Sequence, residues 1–136
     1  MTTYRHWPMW RRWFGQRSER FAARYLKKLG WRILGANLVA GGHELDLLAI
    51  DGKVIVFVEV RSVSGDDPTV AAQSVDLVKQ RKLSDGALGF LSRRRLLNHP
   101  YRFDVIALAW PAGAKQPHLL HQRSAFDSTH RWQMHS

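Results

Sequence analysis

Apolar positions along the chain change period several times, and each change marks an element. In RSERFAARYLKKLG, Phe21, Ala22, Tyr25, Leu26 and Leu29 recur at helical spacing, and Gly30 suits the stop. Trp31 to Leu38 reads as a strand entering a Gly41-Gly42 turn. Two runs rich in Leu, Ile, Val and Phe then flank Asp51-Gly52, the strongest short-range signal for a β-hairpin. VSGDDPTV reads as a loop, and a helix is predicted from about Ser74 to about Ser92. Its buried stripe would be Val75, Val78, Leu83, Ala87, Phe90 and Leu91. Gly86 and Gly89 each cost that helix about 1 kcal/mol against alanine and suit close packing on a sheet. SRRRLLNHP is a basic connection, YRFDVIALA a further strand, and HLLHQR the centre of a last one. The order α-β-β-β-α-β predicts an α/β domain over residues 15–126, a mixed sheet with helices on its faces. Residues 1–14 and 127–136 read as tails.

The hairpin carries the candidate chemistry. With Asp51 and Gly52 as its loop, Ile50 pairs with Lys53. One face then holds Leu45, Leu47, Ala49, Val54, Val56, Val58 and Val60. The other holds Leu48, Ile50, Ile55 and Phe57, with the acids gathered at the end remote from the turn. Apolar residues on both faces predict a sheet covered on both sides. In this register Glu44 lies opposite Glu59 and Asp46 lies diagonal to it, about 7–8 Å away. Like charges so close cost roughly 2–4 kcal/mol per pair at an effective dielectric near 20. Such a cluster implies a metal ion, a proton or a cationic partner. Asp46 and Glu59 are the candidate ligands of a shared cation. An odd-length loop would turn one carboxylate to the other face.

Charge adds a partner class. The 136 residues carry a formal net charge of +10, the acids lying mostly in the central part and both ends being basic. A polyanion, nucleic acid above all, suits that balance, as would a ribosomal or membrane surface. Trp7, Trp10 and Trp13 alternate with arginines in the first tail, a pattern that can stack on bases or rest on a membrane. The absence of cysteine excludes disulfides, thiol catalysis and cysteine-ligated zinc, and fits a reducing cytoplasm. Apolar runs are too short to span a bilayer, and arginines interrupt the N-terminus too often for a secretory signal. The seven histidines show no metal-binding spacing, and no phosphate-cradling glycine loop is present. Arg102 and Asp104 can face the same way in a strand and form a structural ion pair.

The same segments resemble the YraN-type family of small bacterial proteins, assigned to the restriction-endonuclease-like PD-(D/E)xK superfamily. Five motifs carry the resemblance in order: SERFAARYLKKLGWRILGANL, GGHELDLLAIDGKVIVFVEVRS, VKQRKL, YRFDVIAL and HQRSAF. It implies a restriction-endonuclease-like fold and a metal-dependent nuclease site acting on DNA. Asp46, Glu59 and the carbonyl of Val60 would hold Mg²⁺ (or Mn²⁺). Glu19 stands where related junction resolvases carry a helix glutamate that completes the site. The family pattern places a lysine two residues after Glu59, where this chain has Arg61. Arginine stays protonated and cannot act as a general base, but it can clamp a phosphate. Lys79 is the expected stand-in, with Gln80 beside it to orient water or substrate. Glu44 is expected as a supporting acid or as a partner of Arg61. Cutting two strands symmetrically would call for a homodimer.

Overall fold

The structure, a computed structural model, describes residues 10–11 and 17–128. The expected tails fall outside the described residues except at 10–11 and 127–128. The elements are β1 (Trp10–Arg11), α1 (Arg17–Lys28), β2 (Arg32–Ala40), β3 (His43–Asp51), β4 (Val54–Ser64), α2 (Pro68–Gln73), α3 (Leu77–Arg93), β5 (Tyr101–Trp110) and β6 (His118–Phe126). The strands form one sheet in chain order, β1-β2-β3-β4-β5-β6. Pairing is antiparallel for β2–β3, β3–β4 and β5–β6, and parallel for β1–β2 and β4–β5. The parallel β4–β5 step requires a crossover, which α2 and α3 provide. No helix among the described residues is long and apolar enough to cross a membrane.

The expected α/β layers are present, with one addition. VSGDDPTV is not all loop, because Asp67 accepts the Thr69 N–H at 3.0 Å and caps a short helix that opens on Pro68. Proline at the first helical position and an N-cap aspartate are start signals that also occur in turns. α2 lies ahead of the predicted helix, which is α3 and begins at Leu77 rather than at about Ser74, with Asp76 as its N-cap.

Apolar residues fill both faces of the sheet. On one side Leu83, Ala87, Phe90 and Leu91 of α3 pack with Leu48, Ile50, Ile55, Phe57 and Phe103. On the other, Ala22, Ala23 and Leu26 of α1 pack with Leu47, Ala49, Val56, Val58, Ile106 and Leu108. Val78, expected in the buried stripe, is 61% exposed, since α3 meets the sheet only from Leu83 onward. Gly89 explains how closely that helix approaches. A Cβ there would lie 2.8 Å from the Gly41 Cα, backbone against backbone. Gly41 itself holds φ 58°, the left-handed turn conformation that glycine adopts freely.

The hairpin register differs from the expected one by two residues. Asp51 pairs with Val54, and Ile50 with Ile55, so Gly52 and Lys53 form the loop. Gly52 occupies the first loop position with φ 60°, as a two-residue turn opening on glycine requires. A shift of two keeps side-chain parity, so the apolar faces survive with one exception. Leu45 and Leu38 pack on the α3 side, whereas their neighbours Leu47 and Ala36 pack on the α1 side. Both strands change face at one level, between the pairs Leu38↔Leu45 and Ala36↔Leu47. Asn37, in the left-handed region at φ 52°, marks that irregularity in β2, with Asp46 facing it in β3.

Asp104, wholly buried, anchors the far side of the sheet. It accepts from Arg102 Nε at 2.9 Å, His121 Nε2 at 2.8 Å and the Ser124 N–H at 3.0 Å. Arg102 also reaches Asp51 at 3.0 Å, and Tyr25 Oη bonds His121 Nδ1 at 3.0 Å. The expected Arg102–Asp104 pair is therefore one part of a network joining α1, β3, β5 and β6. Burial alone would raise the Asp104 carboxyl, but the bonds from His121, Arg102 and Ser124 outweigh it and hold it below the ordinary aspartate range. Removing that charge leaves Arg102 without its nearest partner. Asp104→Asn should cost about 3–5 kcal/mol in urea unfolding at neutral pH. A lowered folded pKa contributes stability above the unfolded value, so the difference should shrink as pH falls below about 4.

Candidate active site

The β3–β4 ladder stops at Leu47↔Val58, while β4 continues to Ser64. Past that point Asp46 stands level with Glu59, directly across rather than diagonal as expected. Its Oδ2 accepts the Val60 N–H at 3.0 Å, taking the place of a strand partner. A strand residue sends its N–H and C=O to the same edge, so the Val60 carbonyl faces this same gap.

Glu59 is the unusual member. Its side chain is 2% exposed, and its Oε1 has no hydrogen-bond partner among the described residues. Oε2 lies 3.3 Å from Lys79 Nζ and 3.6 Å from Arg61 Nη1. Burial, the hydrogen bond to Asp46 and the Asp46 charge push the Glu59 carboxyl up to about 8, although Lys79 opposes them. The acid prevails because both cations are about a third exposed and share their charge with water, at 33% for Lys79 and 35% for Arg61. Burial beside a second carboxylate thus favours the neutral form of Glu59. A void of about 10 Å³, room for roughly one water, adjoins Asp46 and Glu59.

Each helix delivers one further residue. Asp76 caps α3 by accepting the Lys79 N–H at 2.9 Å, which fixes the first turn from which Lys79 reaches Glu59. On α1, Ser18 accepts from Trp110 Nε1 at 3.0 Å, and Arg17 lies 3.6 Å over the Trp110 ring. Those contacts seat Glu19, which is buried and receives Asn37 Nδ2 at 2.8 Å. Burial raises the Glu19 carboxyl, the Asn37 bond opposes that, and the charges of Asp46 and Glu44 add to it. Glu19 therefore feels the Asp46 charge from the opposite layer.

Other expected residues lie elsewhere. Gln80 Nε2 donates to the Val75 carbonyl at 3.1 Å, bracing the α2–α3 connection. Glu44 is exposed on β3, and Arg61 turns instead to Glu59 and to Ser74 Oγ, 2.7 Å from its Nε. His43 Nε2 faces Asp85 at 3.8 Å. Asn37 and Ser74, which hold Glu19 and Arg61, went unnoticed in the sequence. An asparagine inside a strand pattern was the available signal for Asn37, because asparagine tolerates the left-handed region.

Among the described residues, no three Asp, Glu or His side chains converge closely enough to cage an ion by themselves. Magnesium does not need them, since it keeps several waters and takes one or two carboxylates plus substrate phosphates. Two adjoining carboxylates, an Oε1 without a partner among the described residues and a carbonyl facing the gap fit such an ion. Asp46, Glu59 and Val60 O would hold it, with Glu19 nearby.

Residues 18–108 match the family described as "Uncharacterised protein family UPF0102". A UPF0102 protein of Pseudomonas syringae is 42% identical over 115 residues, covering 84% of this chain and 93% of its own length. One from Geobacter sulfurreducens is 39% identical over 113 residues, covering 83% and 88%. One from Rhodopirellula baltica is 36% identical over 117 residues, covering 84% and 70%. The chain belongs to the UPF0102 family, the YraN family that its motifs resemble.

The raised Glu59 carboxyl has a stability signature. The folded protein holds this proton more tightly than the unfolded chain, so the contribution is full below the ordinary value of 4.5 and lost as pH rises through about 8. Without divalent ions, Glu59→Gln should be more stable than the wild type at pH 8, by an amount on the order of a few kcal/mol. That advantage should vanish toward pH 4.5. Urea titrations across this range test it, and a pH-independent difference would contradict a protonated Glu59.

Proposed function

We propose that this UPF0102 protein is a Mg²⁺- or Mn²⁺-dependent endonuclease that hydrolyses phosphodiester bonds in DNA, branched or recombination intermediates among them. The observation that carries this reading is the meeting of Asp46 with the buried Glu59 at the open end of a ladder, under Lys79. A bound divalent ion would supply Lewis-acid charge for the phosphate and lower the pKa of water. Every other part of the chemistry falls to the chain. Asp46 and Glu59 would hold the ion, and because Glu59 would have to be ionised to do so, ion affinity should rise with pH. Val60 offers its carbonyl, and Glu19 adds negative charge from α1. Lys79 Nζ, with three donors, can then hold a phosphate oxygen or orient the attacking water. Arg61 binds phosphate but accepts no proton. The formal charge of +10 supports association with a polyanion.

A second reading is a nucleic-acid-binding protein that keeps the nuclease fold and cuts little. Arg61 favours it, because it stands where the resemblance implies a lysine and, staying protonated, cannot act as a base.

Purified protein should nick labelled branched DNA with Mg²⁺ or Mn²⁺. Asp46→Ala should lower that rate at least about 100-fold, or about 2.7 kcal/mol of transition-state stabilisation, while binding persists. Wild type and Asp46→Ala that bind alike, with neither cutting under either ion, would favour the second reading. Arg61→Lys separates the two further. It should leave cutting little changed if Lys79 serves the site, and raise it strongly if the natural site is impaired.

A further inference from the structure

Arg61 is held by a residue that the proposed chemistry does not use. Ser74 closes the C-terminus of α2, where its hydroxyl donates to the Ala71 carbonyl at 2.5 Å. A serine hydroxyl has one proton, so toward Arg61 its oxygen can only accept, and it takes Nε–H at 2.7 Å. The bond fixes the guanidinium plane through its inner nitrogen and leaves both outer nitrogens. Nη1 stands 3.6 Å from Glu59 Oε2, longer than the roughly 2.7–2.9 Å of a charge-assisted hydrogen bond. The outer edge therefore retains donors.

Beside it lies an open cavity of about 380 Å³ between β4 and α2, lined by Arg61, Ser62, Val63, Val70 and Ser74 among others. Among the described residues its charged lining residue is a cation, with hydroxyls beside it and no carboxylate in its wall. Val70, 53% exposed, adds an apolar side. A cationic edge, hydroxyls and an apolar wall together match a sugar–phosphate unit better than a free inorganic anion.

We propose that Ser74 is a positioning residue, holding Arg61 so that its outer nitrogens grip a phosphodiester group of DNA in the cavity between β4 and α2. This subsite rests on the nucleic-acid reading above, and would receive the strand next to the group facing Asp46 and Glu59. Freed from Ser74, Arg61 keeps its charge but samples many rotamers, so geometry is lost before electrostatics.

Binding of a short labelled DNA duplex by the full chain, in EDTA at low salt, tests this without cleavage. Ser74→Ala should weaken binding about tenfold, the scale of one hydrogen bond to a charged group, and Ser74→Thr, which keeps the hydroxyl, should restore it. Arg61→Ala should reduce the salt dependence by about one phosphate contact, whereas Ser74→Ala should not. In the Arg61→Ala background, Ser74→Ala should have no further effect, because the two act through one group. Wild-type affinity in Ser74→Ala, or effects that add to those of Arg61→Ala, would overturn the assignment while the nuclease reading stands. A wild type that binds no DNA would overturn the nuclease reading and the subsite together.

Discussion

A carboxyl group sealed from water beside a second one is the constraint around which this molecule is arranged. Glu59 sits in the centre of a sheet covered on both faces, where an ionised acid is costly unless something neutralises it. The free end of the β3–β4 ladder makes the pairing with Asp46 possible. Because β3 pairs with β4 only from Leu47 onward, the Val60 N–H turns to the Asp46 side chain, and an in-plane gap opens at that level. The Lys79 ammonium, 3.3 Å from Glu59 Oε2, offsets part of that cost.

Two buried acids in one sheet have been given opposite environments. Asp104 is met by a guanidinium, an imidazole and a backbone N–H, so its charged form is favoured. Glu59 has one oxygen with no partner among the described residues and another near two cations that are each about a third exposed, so its neutral form is favoured. Satisfied hydrogen bonds mark a structural acid, and an unsatisfied one marks a group held ready for something else. The contrast separates a scaffold network, tying α1 and β6 to the hairpin, from a candidate reactive site.

The helical layers converge on that site from both faces. Glu19 arrives from α1, whose first turn is pinned by Trp110, and Lys79 arrives from the capped first turn of α3. Close contact between Gly89 and Gly41 seats α3 on the β2–β3 turn, so the reach of Lys79 depends on a residue with no side chain. Short connections thus set positions that long side chains then use.

The order of the main elements, most of the two apolar faces and the nearness of Asp46 to Glu59, though as a diagonal neighbour, were legible in the residues, because period and turn chemistry are local properties of the chain. Parity survived along the paired part of the hairpin even though its loop proved to be Gly52-Lys53, since a shift of two residues returns a side chain to its face; Leu45, beyond the ladder, changed face. Val78 and the short helix α2 were misread for a common reason. An apolar residue in register with a stripe is buried only if something lies opposite it, and Pro with Asp signals a helix start as readily as a turn. The change of face at Asn37 and Asp46, the grip of Ser74 on Arg61 and the contrast between Glu59 and Asp104 arise from segments distant along the chain. Their protonation and orientation depend on burial and on partners in three dimensions, and so only the folded arrangement could decide them.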